Sequence, residues 1–405
     1  MTEWPVNAST SPLDHPRGWK WVPITDVAQL VTGHTPARSN PDYWNGGVPW
    51  INLNEIRQLN GTTCNETQLQ ISAAGVAKSS AVVHPTGTVC MSRTASVGFV
   101  TKMGRPMTTS QDFVNWIPGP EIDSDYLMKA LQASRPQILE LCSGSTHKTM
   151  YVRDAERLRV LLPPVEEQQL IAAVLDAADE LRAKRRQALA KLDTLTQAIF
   201  IDMFAGDAGR ALELRDVADI QGGLQVTAKR QSNPIEVPYL RVANVHRGSL
   251  DLSEIKLMRI TANELDRTRL SRGDLLVVEG HGNKDEIGRV AVWDGSVDSC
   301  VHQNHLIRVR CNPNMLLPRF AEAYMNSWVG RRALLRAANT TSGLNTISTS
   351  HVRSVRIPLP TLPKQQQFVD AVEMVDLHRA NLVRASQTLD TLFASLQQRA
   401  FRGEL

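Results

Sequence analysis

The chain has 405 residues, enough for two or three domains that each bury a core without disulfides or a metal. A composition of 42% hydrophobic and 21% charged residues excludes a disordered or collagen-like chain, and no apolar run reaches the roughly 18 residues of a membrane span. The net charge of +4 is uneven: +1 over 1–162, −2 over 163–206, +5 over 207–358 and zero over 359–405. A mild basic excess of this kind is compatible with a polyanion partner. Five cysteines, at 64, 90, 142, 300 and 311, are odd in number and scattered, and Met1-Thr2-Glu3-Trp4-Pro5 has no basic segment leading into an apolar run. Both features lead us to expect a reducing cytoplasm.

In chain order, short apolar or alternating runs come first: Val82-Val83, Thr88 to Met91 and Phe113 to Ile117, set between Gly, Asn, Pro and Ser clusters. That pattern predicts a twisted β core. A helix is predicted from Asp125 to Leu141, then a strand-like run from Leu158 to Leu162 that Pro163-Pro164 terminates. The prolines sit where a helix can begin, and Glu166-Glu167 suit its first turn. Apolar residues then recur every three or four positions: Ile171, Leu175, Ala178, Leu181, Ala188, Leu192, Leu195 and Ile199. With no Gly or Pro between them, the 38 residues from Glu166 to Met203 predict one helix of roughly 57 Å. The same succession follows again: apolar runs Leu275 to Val278, Arg289 to Trp293 and Leu306 to Val309, a helix from Pro318 to Ala338, and a run from Val355 to Leu359. After Pro360 and Pro363 comes a second seam of Phe368, Val372, Val375, Leu382, Ala385, Leu389, Leu392 and Leu396. Seams of this length belong to coiled coils, and each helix is the other's nearest partner.

The chain is therefore a duplication. The helical copies align without a gap at an offset of 197: Gln168-Gln169 with Gln365-Gln366, Arg182-Ala183 with Arg379-Ala380, Leu192 to Leu195 with Leu389 to Leu392, and Phe204 with Phe401. The longer copies diverge but keep landmarks: Asp26-Val27-Ala28 recurs as Asp216-Val217-Ala218, Val48-Pro49-Trp50 as Val237-Pro238-Tyr239, Gly87 and Gly98 as Gly273 and Gly288, Gln111 as Gln303, and Ser143-Gly144 as Ser342-Gly343. The predicted fold is α+β, with two tandem α+β domains (1–162 and 207–358), each followed by a long helix (163–206 and 359–405). The two helices are expected to pair as an antiparallel coiled coil.

Catalytic signatures are missing. No Asn-Pro-Pro-Tyr or Asp-Pro-Pro-Tyr is present to hold a flipped base, and no Gly-x-Gly-x-x-Gly follows a strand. Gly144 to Thr149 lacks the glycine before Lys148 that would let the backbone wrap a phosphate. Cys300, His302, His305 and Cys311 include both faces of a predicted strand and no Cys-x-x-Cys pair, which suits core packing better than zinc. Asp251, Glu254 and Lys256 are too compressed and isolated for a magnesium-dependent nuclease. No catalytic residue, metal site or cofactor is assigned to this chain.

Two variable regions of about 150 residues, each followed by a near-identical helix opening Pro-x-x-x-x-Gln-Gln, resemble the specificity (S) subunit of Type I restriction-modification systems. Gly33-His-Thr-Pro36 with Arg38, Tyr43-Trp44-x-Gly46-Gly47-Val48-Pro49-Trp50-Ile51, Gly87 to Arg93, and Pro163 to Gln169 carry the likeness, which covers nearly the whole chain. The second copy departs from it with Gly222-Gly223-Leu224-Gln225-Val226 and with a longer loop, Glu279 to Lys284. The resemblance implies a non-catalytic subunit that reads a bipartite double-stranded DNA target, one half-site per recognition domain, with the helix pair as a ruler. It also implies partners: two methyltransferase (M) subunits that bring S-adenosylmethionine, and restriction (R) subunits that bring ATP and Mg²⁺. The alternatives are a self-contained DNA methyltransferase or nuclease with an unrecognised centre, and a coiled-coil scaffold whose β domains bind protein.

Under that resemblance, the candidate DNA contacts are polar residues in loops that interrupt the β core. In the first domain these are Thr35, Arg38, Asn52, Asn54, Ser92, Arg93, Thr146 and Lys148; in the second they are Lys229, Arg230, Arg241, Asn244, His281, Asn283, Lys284, Gln303 and Asn345. Arg and Lys suit guanine O6/N7 or phosphate, and Asn and Gln suit adenine. The larger charge of the second domain leads us to expect the larger share of phosphate contacts there. Trp44 and Trp50 are expected in the core, and Arg182 to Arg186 on a solvated or subunit-facing side of the helix.

Overall fold

The computed structural model describes residues 5–7, 18–144, 148–204, 211–337, 339–341 and 344–405. The chain divides into two compact units, Met1–Arg186 with Ala385–Leu405, and Gln187–Arg384. Each unit holds one β-rich region and one half of each long helix, so each is described by itself.

In the first unit the strands that position the candidate loops include β1 (Ala28–Thr32), β2 (Trp44–Ile51), β3 (Thr63–Cys64), β4 (Val89–Ser92), β5 (Val100–Met103), β6 (Thr108–Thr109) and β7 (Phe113–Pro118). Five of them form a sheet in the order β1-β7-β4-β5-β3. β2 lies outside it and pairs in parallel with β6 through Trp50 with Thr108 and Ile51 with Thr109. β7 is rich in β-branched and aromatic residues, which suit a pleated, covered surface. Its side chains alternate between two cores: Val114 and Trp116 pack with Tyr126 and Leu127, while Phe113 packs with Ile51, Cys64, Cys90 and Met103. The helix predicted over 125–141 is two helices, α1 (Ser124–Ala133) and α2 (Arg135–Glu140). Pro136 has no N–H to continue the ladder, and the Ser134 hydroxyl at the break accepts from the Val6 N–H at 2.8 Å. The long helix α3 (Val165–Phe204) follows.

The second unit repeats the plan with β8 (Ala218–Gly222), β9 (Ile235–Leu240), β10 (Leu275–Val278), β11 (Val290–Val292), β12 (Val301–His302) and β13 (Leu306–Cys311). Its sheet runs β8-β13-β10-β11, and β9 pairs in parallel with β12 through Tyr239 with Val301 and Leu240 with His302. Leu275 and Val277 of β10 enter one core and Leu276 and Val278 the other. Here too the predicted helix is broken, into α4 (Pro318–Asn326) and α5 (Trp328–Ala337), with the Ser327 hydroxyl at the break accepting from Gly330 N–H at 3.1 Å. The second long helix is α6 (Leu362–Ala400).

The Gln-Gln motif at the start of each long helix has a structural reason. The Gln168 side chain is fully buried; its Oε1 accepts from the Asp123 N–H at 2.8 Å, and its Nε2 donates to the carbonyls of Glu121 and Pro163 at 3.0 and 2.8 Å. Gln365 repeats this with the Leu317 N–H at 2.8 Å and the Met315 and Pro360 carbonyls, both at 2.9 Å. One amide thus satisfies three backbone groups and locks each long helix to the α/β region before it. Ion pairs reinforce the joint: buried Lys129 reaches Asp176 and Asp179 at 2.7 and 2.9 Å, and Arg319 pairs with Asp376.

The long helices run antiparallel. In the first unit Arg182 of α3 pairs with Asp390 of α6 at 2.7 Å and covers the Phe393 ring at 4.3 Å; in the second, Phe200 and Phe204 of α3 pack on Phe368 of α6 with ring centroids 5.6 and 5.8 Å apart. The seam expected from the heptads closes only in part. Ile171, Leu175, Phe200, Phe204, Phe368 and Val372 are buried because the α/β regions also cover them, whereas Leu181, Leu195 and Leu392 remain 58%, 37% and 58% exposed. Two helices cover one stripe of each other, and these leucines lie at its margin. Among the described residues no helix is long and apolar enough to cross a membrane.

Candidate nucleic-acid interface

In the first unit, backbone hydrogen bonds draw four loops together. Gly33 after β1 lies so close to the β6–β7 loop that a Cβ there would stand 2.1 Å from Thr109 Oγ1, and the next residue, His34, donates its N–H to the Thr109 carbonyl at 2.9 Å. The Arg93 N–H after β4 reaches the Asp112 carbonyl at 2.8 Å, and the Arg93 carbonyl accepts from the Met150 N–H at 2.8 Å. Thr35, Arg93, Gln111 and Lys148 therefore share one loop cluster. Thr35 Oγ1 donates to Gln111 Oε1, Arg93 Nε donates to the Gln111 carbonyl at 2.9 Å, and exposed Lys148 donates to the Leu139 carbonyl at 3.0 Å.

The second unit builds the same cluster on equivalent bonds. A Cβ on Gly223 would stand 2.2 Å from the Gln303 carbonyl, Leu224 N–H donates to the His302 carbonyl at 2.9 Å, Glu279 N–H to the His305 carbonyl at 2.9 Å, and Ile347 N–H to the Glu279 carbonyl at 2.8 Å. Asn304 N–H also reaches the Leu224 carbonyl at 2.8 Å, and His281 pairs with Asn345 across two short strands. These bonds fix the equivalences. Ser110 N–H donates to Ile51 carbonyl as Gln303 N–H donates to Leu240 carbonyl, so Gln303 matches Ser110, and Gln111 matches Asn304. The sequence alignment of Gln111 with Gln303 is thus one residue out, because identity was followed where the backbone register decides. By the same bonds Arg93 matches Glu279.

The family model of the Type I restriction modification DNA specificity domain matches residues 16–192 and again residues 211–386. The chain belongs to the Type I DNA specificity family. Similar curated proteins are the Type I restriction enzyme EcoKI specificity subunit of Escherichia coli strain K12, 25% identical and covering 96% of this chain and 90% of that one, and the StySPI specificity subunit of Salmonella potsdam, also 25% identical over the same shares. Among solved structures, a chain from work on assembly and conformational transition of the type I R-M system matches with a TM-score of 0.66 at 18% identity, over 97% of this chain and all of that one. The S subunit from M. genitalium matches at 0.53 and 12% identity, over 98% of each chain. The specificity chain is a DNA-sequence recognition component and not the catalytic one.

Within the specificity domains, the sequence-predicted contacts separate into five groups. Thr35, Arg93 and Lys148 meet in the first loop cluster, and His281 and Gln303 belong to the second. Arg38, Asn54, Lys229 and Asn283 are exposed, with the Arg38 guanidinium 5.8 Å from the Trp50 ring centroid. Asn52, Ser92 and Asn244 are corrections: all three are buried and hold their own loops. Asn52 donates to Glu55 at 2.9 Å and caps Asn54 N–H; Ser92 bonds the Ser96 and Phe99 carbonyls; Asn244 donates to the carbonyls of Asp251 and Glu254 at 2.8 and 2.9 Å. Arg230 and Arg241 are taken by Glu264 and Glu254 at 3.0 and 2.8 Å. Thr146 and the side chains of Lys284 and Asn345 lie outside the described residues.

Some of the basic side chains of the second domain are held in ion pairs. Arg308 pairs with Asp219 and Arg310 with Asp274, both at 2.7 Å, and Arg289 with Glu286 at 2.8 Å. Net charge therefore does not by itself identify which cations are available to phosphate. His302 is a core residue with Nδ1 3.0 Å from the Leu306 carbonyl, and burial lowers its pKa to about 4. Burial likewise pushes the Cys300 and Cys311 thiols up to about 12. Trp50 is buried against Trp44, with ring centroids 5.1 Å apart. Sequence reasoning missed Gln111, Glu279 and Asn304 as candidates; the repeat had already marked Gln111 and the longer loop had marked Glu279.

Proposed function

We propose that each specificity domain reads one half of a bipartite double-stranded DNA target and that the chain carries methyltransferase and restriction subunits to it. The observation behind this reading is the duplicated loop cluster: one backbone framework, built twice, presents Thr35, Arg93 and Gln111 in one domain and Gln225, Glu279 and Asn304 in the other. A constant framework with changed polar side chains is what reading two different half-sites requires. The relatives named above are specificity subunits of Type I restriction enzymes, which supports the same assignment. α3 and α6, 40 and 39 residues long, would act as the spacer between half-sites; at about 1.5 Å per residue each is roughly 60 Å, longer than the ~34 Å of one DNA turn. Exposed Leu181 and Leu392 border an apolar groove of about 300 Å³ on the helix pair, a surface suited to a partner subunit. S-adenosylmethionine, ATP and Mg²⁺ would be held by the partner subunits, and the complex would work in the cytoplasm.

Methylome sequencing of cells that express this chain with its methyltransferase partner tests the reading. A motif of two short specific blocks separated by a fixed unspecified spacer is expected. A contiguous motif, or methylation by this chain alone, overturns it.

A further inference from the structure

The equivalence of Arg93 and Glu279 reverses charge at one framework point. Each residue follows the matching strand of its sheet (β4 and β10), donates its N–H to the loop before the next long strand (to Asp112 and to His305), and accepts at its carbonyl from Met150 or Ile347. Arg93 is anchored by its Nε–Gln111 bond, and among the described residues the rest of its guanidinium makes no hydrogen bond or ion pair. Glu279 is half-buried, and among the described residues its carboxylate has no hydrogen bond or ion pair. Its neighbours in the cluster are Asn304 and Gln225: Asn304 is hydrogen-bonded to Leu224, next to Gln225, and Glu279 to His305, next to Asn304.

We propose that Glu279 is a specificity-determining residue of the second domain, an acceptor for the exocyclic amino group of cytosine or adenine in the major groove. A carboxylate repels phosphate, so this position is not a backbone contact. In the major groove guanine and thymine offer acceptors at O6, N7 and O4, which a carboxylate rejects; cytosine N4 and adenine N6 offer donors. A partly desolvated carboxylate without a donor is costly, and a base amine would satisfy it. Burial raises the Glu279 carboxyl above the ordinary carboxylate range. At the matching point the first domain, with Arg93, selects guanine or phosphate instead.

This inference rests on the reading of two half-sites, and the experiment separates them. The complete complex of this chain with its methyltransferase partner is assayed on a library of randomised duplexes, using wild type, Glu279→Ala and Glu279→Arg. Wild type is expected to give a bipartite motif; failure to do so overturns the half-site reading and the inference with it. Glu279→Ala is expected to lose discrimination roughly 5- to 150-fold at a single base pair of one half-site, leaving the other half-site unchanged. The base specified there in wild type, cytosine or adenine, identifies which amine is read, and Glu279→Arg moves the preference on that strand towards guanine. A bipartite wild-type motif that Glu279→Ala leaves unaltered, or lowers uniformly at every position, overturns the inference while the half-site reading stands.

Discussion

Replacing Gln168 by Leu tests the joint between the first specificity domain and its helix. Leu fills nearly the same volume, so packing is retained while three hydrogen bonds of 2.8 to 3.0 Å are removed. The Asp123 N–H is left without its acceptor, and the carbonyls of Glu121 and Pro163 lose a donor, around a side chain with no exposure. An unsatisfied buried N–H costs about 1–3 kcal/mol, and the carbonyls, each with a second lone pair, add less, for a loss of about 2–4 kcal/mol. For a unit of this size that corresponds to a fall of roughly 5–15 °C in the melting transition, read by scanning calorimetry of the full chain. The adjacent Gln169 is the control: it is exposed on the same helix, so Gln169→Ala should change stability by less than about 0.5 kcal/mol. Equal and small shifts for Gln168→Leu and Gln169→Ala would refute the assignment of the Gln-Gln motif to this clamp.

Lys129→Met should destabilise the same joint by about 1–2 kcal/mol, below the cost of breaking a fully buried pair, because Asp176 and Asp179 are partly solvated; urea unfolding measures it, and no loss would mean that the pair contributes nothing. His302 carries a pKa lowered by burial to about 4 against 6.5 unfolded, so its contribution to stability is present above pH 6.5 and is lost as pH falls towards 4. Between pH 7.5 and 5 this amounts to about 2 kcal/mol, and His302→Asn should flatten that part of the profile; an unchanged profile sinks the assignment. Lys148→Gln should weaken DNA binding by the assembled complex across sequences and lower the magnitude of its salt slope by about one, whereas Arg93→Ala should cost about 1–3 kcal/mol on the preferred half-site and relax one position; fluorescence anisotropy on matched and mismatched duplexes distinguishes them, and identical behaviour would contradict the division into phosphate and base contacts.

Much of the organisation was legible in the residues. The gapless helical repeat, the prolines ahead of it and the seam of apolar residues marked α3 and α6, since a 3.6-residue period without Gly or Pro has few other solutions. The site was legible only in part. Arg93, Lys148 and Thr35 could be placed in loops because polar residues beside turn signals tend to be loop residues. Asn52, Ser92 and Asn244 were misplaced for the same reason: a short polar side chain in a loop serves either a ligand or the loop's own backbone, and local sequence does not distinguish them. Arg230 and Arg241 look like free cations until the fold brings Glu264 and Glu254 beside them.

The sequence alone determined the duplication, the α+β class and the long helices, because these follow from periodicity and local backbone preference. The tertiary structure decided which polar groups face outward and which residues are equivalent. It placed Gln111 against Asn304 and Arg93 against Glu279, a pairing set by the hydrogen bonds of loops whose lengths differ between the copies, and it paired Arg308 with Asp219 and Arg310 with Asp274. Both outcomes depend on contacts between segments tens of residues apart, where neither hydrophobic period nor residue identity carries the register.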